Sequence, residues 1–158
     1  MGMHISMVFQ KKIDGKWRHL VHIPFEHARV PWFTYKHFYF MAYSGCQLSS
    51  GAMEFEPEMT DYSICHTRGL PKDYDANQEH VIEYIDPLDT DWWISLPGND
   101  THANSWLFID ELVNHDYDRT VTYIGDKVNL REHLTQEFID YWKMAQQLGA
   151  ERVVFGLS

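Results

Sequence analysis

The chain has 158 residues, 23 acidic against 13 basic side chains, a formal net charge of −10 and 44% hydrophobic residues. This length and apolar content predict a single domain over residues 1–158 and exclude wholesale disorder. No apolar run approaches the roughly 20 residues that cross a bilayer, so no membrane partner is expected. Two cysteines, Cys46 and Cys65, cannot supply a disulfide framework, which favours a reducing, intracellular setting.

The charge is divided unevenly along the chain. Residues 1–53 carry six basic and two acidic side chains, whereas residues 54–158 carry seven basic and 21 acidic ones. The acidic majority argues against binding to duplex DNA, because phosphate contacts need clustered lysines and arginines. An acidic surface can instead occupy a basic groove on another protein, in place of nucleic acid. Solubility alone is the simpler explanation.

The first predicted elements are strands. Residues 4–10 are typical of a strand, Asp14-Gly15 of a hairpin turn, and residues 16–23 of the returning strand. Residues 36–43 are rich in aromatic side chains, but their spacing does not decide between helix and strand. Residues 44–78 are expected to form a long irregular loop.

The second half of the chain is expected to contain two main helices. Short strands are predicted over residues 81–85 and 120–124, and a final one over 152–155. Ser105 is expected to cap the first helix, because apolar residues follow it at helical spacing. Asn129 is expected to cap the second, whose apolar stripe ends at Gly149. This order predicts an α+β domain with a mostly antiparallel sheet and an N-terminal β-hairpin.

One segment whose residues are suited to ligand binding runs from Arg68 to Asp73. An arginine fork suits a phosphate or a carboxylate, and the intervening glycine and proline fix the direction of a loop. Arg68 and Asp73 are therefore candidate ligand-binding residues. The favoured alternative is structural: Arg68 pairs with Asp73, or with backbone carbonyls, and stiffens the loop.

A second such segment begins at Asp100. His102 precedes the predicted helix, whose N-terminus attracts anions, and Ser105 is positioned to contact a phosphate there. Asp100, His102 and His4 have the side chains that could hold a divalent metal ion. His4 and His102 are also the candidate catalytic residues if the protein is a small hydrolase, although the sequence does not decide whether it is an enzyme.

The adjacent residues Trp92 and Trp93 are candidate interface residues. Neighbours on a strand point to opposite faces, so one of the two is expected on a surface away from the core. Exposed aromatic side chains of this kind permit a homodimer. Aromatic side chains near Lys11, Lys36 and Arg29 could also stack on the bases of a nucleotide or a single strand.

Several of these segments resemble a family of small, mostly uncharacterised proteins of tailed phages and prophages. Members begin with a Cys-Asp-Ile-His strand and a Gly-x-Trp hairpin return. An Arg-Gly-Leu-Pro-x-Asp loop follows, and then Asp-x-His-x-x-Ser-Trp-Leu running to Glu-Leu. The matching positions here are His4, Ile5, Gly15 to Trp17, Arg68 to Pro71, Asp73, Asp100, His102, Ser105, Trp106, Leu107, Glu111 and Leu112. The family's Cys-Asp is replaced by Gly2-Met3, which puts in doubt any site that used that aspartate.

The resemblance implies a phage-encoded protein of the host cytoplasm, without a settled activity. In that setting the acidic composition favours a protein that acts by binding, as an inhibitor of a host defence factor. The alternative is a phosphate- or nucleotide-binding protein, or a small metal-dependent hydrolase, that uses Arg68, His102 and His4. A virion component is the last choice, because no repeat or coiled coil is present.

Overall fold

The computed structural model describes residues 5–20, 34–42, 61–74, 82–83, 96–98 and 100–157, and residues 82–83 by their backbone alone. The predicted α+β class, with a mostly antiparallel sheet and an N-terminal hairpin, is confirmed. The elements in chain order are β1 (Ile5–Ile13), β2 (Lys16–Leu20), α1 (Tyr35–Met41), β3 (Ile82–Glu83), β4 (His102–Phe108), α2 (Ile109–Val113), β5 (Thr120–Tyr123), β6 (Asp126–Asn129), α3 (Leu130–Leu134), α4 (Gln136–Gln147) and β7 (Arg152–Leu157).

The main sheet has five described strands in the order β3-β2-β1-β7-β4. All its neighbours are antiparallel except β2 and β3, which are parallel. The two strands β5 and β6 form a separate hairpin. In the centre of the main sheet Ile5 lies opposite Leu157, so the first and last described strands are neighbours.

The N-terminal hairpin has the predicted turn. Asp14 and Gly15 have φ values of 52° and 78°, the left-handed pair that a two-residue turn requires for the twist of its strands. The first strand continues past Gln10 to Ile13, which lies opposite Lys16. The hairpin therefore extends further along the sheet than the sequence pattern indicated.

The predicted helix that Ser105 would cap is wrong. Ser105 lies inside β4, and the helix begins four residues later at Ile109. Ser105 pairs with Phe155 and Leu107 pairs with Val153 of the neighbouring strand. A short apolar run fits both the helical and the strand period, and here pairing with β7 decides between them.

The single long helix predicted at the end of the chain is two helices. The Asn129 side chain caps α3 as predicted, by accepting a hydrogen bond from the Glu132 N–H at 3.2 Å. The helix then breaks at Thr135, whose φ of 78° and ψ of 153° lie in a region that favours glycine. Gly149, with a φ of 101°, follows the end of α4 as predicted.

Thr135→Gly is expected to raise the free energy of unfolding by about 1 kcal/mol, because relief of the strained backbone exceeds the entropy cost of glycine. The Thr135 hydroxyl is buried and has no hydrogen-bond partner among the described residues, so its removal breaks no such bond. Urea unfolding measures the change. Thr120→Gly in strand β5 is the control and should destabilise; a destabilised Thr135→Gly would contradict the strain argument.

The sheet is buried on both faces. On one face Phe9 packs against Trp142 of α4, and Phe38 of α1 packs against Phe155. On the other face lie Val8, Val154, Gln10 and Arg152, each at most 3% exposed. Two long polar side chains therefore lie in a buried layer, where each needs partners.

Candidate functional site

The loop at Arg68 and the segment that follows Asp100 lie side by side. The Arg68 guanidinium donates to both carboxylate oxygens of Glu111, at 2.7 and 2.9 Å, and to the Trp106 carbonyl oxygen at 3.2 Å. The Arg68 N–H donates to the Ser105 hydroxyl oxygen at 3.0 Å. The loop thus covers strand β4, which is the last described strand on that side of the sheet and would otherwise expose polar backbone groups.

Glu111 also caps the start of α2. Its carboxylate accepts the Phe108 N–H at 2.8 Å, which satisfies a backbone donor that the helix leaves unbonded. The hydrogen bonds from Arg68 hold the pKa of Glu111 below its usual value, against the opposing effect of burial. One carboxylate therefore fixes both the Arg68 loop and the beginning of the helix.

Arg68→Ala is expected to lower the free energy of unfolding by about 1 kcal/mol, the size of a two-pronged ion pair with partial burial. Arg68→Lys keeps the charge but not the fork, so it should recover less than half of the loss. Thermal or urea unfolding of the wild type and the two variants measures these differences in stability. Equal stability of wild type and Arg68→Lys would show that the fork geometry is unimportant.

Sequence reasoning missed Arg152, which is 3% exposed at the start of β7. Its Nε donates to the Gln10 side-chain oxygen at 2.7 Å, and its Nη1 to an Asp73 oxygen at 2.9 Å. Its guanidinium carbon lies 3.9 Å from the centre of the Trp17 ring. The remaining nitrogen, Nη2, is buried without a hydrogen-bond partner among the residues described. The available signal was a lone arginine at the head of an apolar strand.

Asp73 is therefore a partner of Arg152, and the pairing of Asp73 with Arg68 that the sequence suggested is not formed. Burial raises the pKa of Asp73, but the hydrogen bond and charge of Arg152 outweigh it, so the pKa lies below its usual value. Burial lowers the pKa of Arg152, and Asp73 opposes that change. The loop at 68–73 is thus attached to the sheet at both of its ends.

Three aromatic side chains, Trp17, Trp106 and Phe108, form what we call the aromatic surface. The Phe108 ring centre lies 5.1 Å from that of Trp106 and 6.5 Å from that of Trp17. Phe108 is 43% exposed, more than any other large hydrophobic residue in the described ranges. Arg68 stacks on Trp106 at 4.8 Å and Arg152 on Trp17 at 3.9 Å. Both outer rings are stacked on an ion-paired arginine, while the central ring, Phe108, is partly exposed to solvent.

The other predicted site residues divide into two groups. His102 is exposed at the start of β4, not at a helix N-terminus as predicted, and Asp100 is exposed two residues before it. His4, Trp92 and Trp93 lie outside the described residues. Among the residues placed by the structure, no three His, Cys, Asp or Glu side chains are arranged to hold a metal ion. The metal site and the pairing of His4 with His102 remain predictions.

A groove of about 380 Å³ opens beside the aromatic surface. Trp17 and Phe108 line it, together with the charged residues Lys11, Asp110 and Glu151. The groove joins apolar rings to carboxylates at the surface, a combination that suits recognition of a side chain with both apolar and charged parts.

No family model, curated protein or solved structure matches this chain. No helix in the described ranges is long and apolar enough for a bilayer crossing.

Proposed function

We propose that this protein acts by binding another protein through the aromatic surface, and that the bound protein is a host defence factor that it inhibits. The exposure of Phe108 between two tryptophans carries the proposal. Because Phe108 is 43% exposed, its full burial by a partner gains about 1 kcal/mol, the corresponding fraction of the value for a wholly exposed phenylalanine. Tryptophan and arginine, the residues around Phe108, are the types that contribute most to protein interfaces.

The aromatic surface is also ordered before a partner arrives. Arg68 and Arg152 stack on Trp106 and Trp17, and each arginine is itself fixed by a carboxylate. Side chains that are already fixed lose little conformational entropy on binding. A partner therefore meets a rigid aromatic platform.

Phage origin and a host target rest on the resemblance in sequence, and the net charge of −10 favours a partner with a basic surface. The alternative of a phosphate or nucleotide ligand at Arg68 has less support. Glu111 already occupies the Arg68 guanidinium with both carboxylate oxygens, so a phosphate would first have to displace it.

Plaque counts on bacteria that carry different phage-defence systems test the proposal. Cells expressing the wild type should show restored plaques against at least one system, and Phe108→Asp should abolish that effect. Ile124→Asp is a matched control, because Ile124 is 39% exposed and lies in the turn between β5 and β6. Purified wild type should then form a complex with a protein of that system in gel filtration.

Two results would contradict the proposal. Full activity of Phe108→Asp would exclude the aromatic surface, and unchanged plaque counts on every defended strain would exclude a defence target. Loss of activity in His102→Ala, with the fold intact, would favour the hydrolase alternative, because binding through the aromatic surface requires no histidine.

A further inference from the structure

The groove beside the aromatic surface lies between the β1–β2 hairpin and the start of α2, close to the end of α4. Its volume of about 380 Å³ falls near the lower end of the range for small-ligand sites. Phe108 lines it with a ring that is 43% exposed. The groove is therefore large enough for a single long side chain and presents it with an aromatic face.

Acidic groups outnumber basic ones in the groove. Asp110 and Glu151, both exposed, contribute two carboxylates, and Lys11 is the one cationic side chain among the lining residues. The Lys11 ammonium nitrogen lies 3.7 Å from the position that a Cβ on Gly149 would take, beside the end of α4. The last carbonyls of a helix carry partial negative charge, which Lys11 offsets there. The two carboxylates remain to attract a cation.

Two arginines of this chain each contact both an aromatic ring and a carboxylate. Arg68 stacks on Trp106 and pairs with Glu111. Arg152 stacks on Trp17 and pairs with Asp73.

The third ring of the aromatic surface is Phe108, and Asp110 follows it two residues later in the lining of the groove. Among the described residues, no guanidinium stacks on the Phe108 ring. One Asp110 oxygen accepts a hydrogen bond from the Gln146 amide at 2.6 Å, and no described bond engages the other. A planar guanidinium is the group that both stacks on a ring and bonds a carboxylate.

We infer that this groove binds an arginine side chain of the partner protein. The inference rests on the proposed function for the existence of that partner. The affinity of the groove for arginine, however, is a property of this chain that can be measured alone. The guanidinium stacks on Phe108 and pairs with Asp110, and the Glu151 carboxylate adds a second favourable charge.

NMR titration of the purified full chain with N-acetyl-arginine amide tests the inference. The backbone signals of Phe108 and Glu151 and the indole N–H of Trp17 should shift and saturate. The citrulline analogue has the same shape without the charge and should bind roughly two- to fivefold more weakly, the effect of losing one exposed ion pair. Equal binding of the two compounds, or preferential binding of N-acetyl-aspartate amide, would overturn the inference.

Variants of the lining residues make the test specific. Asp110→Asn and Glu151→Gln should each weaken arginine binding, whereas Lys11→Gln should strengthen it by removing a like charge. Glu137→Gln, an exposed residue of the first turn of α4, is the control and should bind as the wild type does. Unchanged affinity in both Asp110→Asn and Glu151→Gln would refute the charge argument.

The two proposals fail in different ways. If the chain binds arginine but has no effect on plaque counts, the arginine site is supported and the proposed defence target is rejected. If plaque restoration depends on Phe108 but not on Asp110 or Glu151, and the chain does not bind arginine, the interface is supported and the arginine site is rejected.

Discussion

Asp73→Ala is expected to lower the free energy of unfolding by about 2 kcal/mol, although the Asp73 side chain is 57% exposed. The loss arises in its partner, because the Arg152 side chain is 4% exposed and loses its only carboxylate among the described contacts. Removing one member of a buried pair leaves an uncompensated charge, and water entering where Asp73 stood reduces the penalty. Urea unfolding at pH 7 measures the change.

The pair formed by Asp118 and Arg131 is a matched control. Its N–O distance of 2.8 Å is close to the 2.9 Å of the Asp73–Arg152 pair, but its arginine is 40% exposed. Water solvates both charges when that pair is broken, so Asp118→Ala should leave stability almost unchanged. Equal effects of the two alanine variants would show that burial of Arg152 does not determine the importance of Asp73.

A double variant separates charge from packing at the same position. Asp73→Ala combined with Arg152→Met removes the buried charge and keeps an apolar side chain of similar length against Trp17. Replacing a whole ion pair by apolar groups is often neutral, so the double variant should be more stable than Asp73→Ala alone. If it is less stable, the contacts of Arg152 with Gln10 and Trp17 outweigh its charge.

Stability should fall by about 3 kcal/mol between pH 6.5 and pH 4 because of His37 alone. His37 is 1% exposed; its Nδ1 accepts the Thr34 N–H at 3.0 Å, and its Nε2–H donates to the Leu134 carbonyl at 2.8 Å. Burial is the main cause that lowers its pKa to about 4. Below pH 6.5 His37 binds a proton in the unfolded chain but not in the folded protein. The contribution of His37 to the free energy of unfolding is therefore complete above pH 6.5 and is lost as the pH falls towards 4.

Urea unfolding between pH 8 and pH 4 tests this dependence. His37→Gln should unfold more easily at pH 7 but show a flatter profile between pH 6.5 and pH 4. His115, whose pKa burial also lowers to about 4, leaves some pH dependence in the variant. Identical profiles for the wild type and His37→Gln would contradict the assignment.

Local signals in the sequence predicted the local structure well. The Asp14-Gly15 turn, the Asn129 cap and Gly149 are each decided by the backbone conformation of one or two residues, and the structure confirms all three. The helix expected after Ser105 is wrong, because pairing with a strand distant in sequence decided between two periods that both fit. Short-range patterns cannot report such pairing.

The candidate site was predicted only in part. The segments at Arg68 and Ser105 were singled out and do contact each other, but the partners of Arg68 and Asp73 lie 43 and 79 residues away along the chain. An ion pair over such a separation leaves no spacing in the sequence to recognise. Phe108 was not singled out for a different reason: its exposure depends on the direction of strand β4, for which a helix was predicted.

The position of β7 between β1 and β4 has a consequence for how the chain folds as it is made. Strand β7 is the last described strand to be synthesised, and its pairing with the central strand β1 joins residues such as Ile5 and Leu157. Contacts between residues so far apart in sequence form slowly, since a long loop must close first. Until β7 is made, one edge of β1 is unpaired and β4 lacks its described partner strand, so both can pair with other nascent chains.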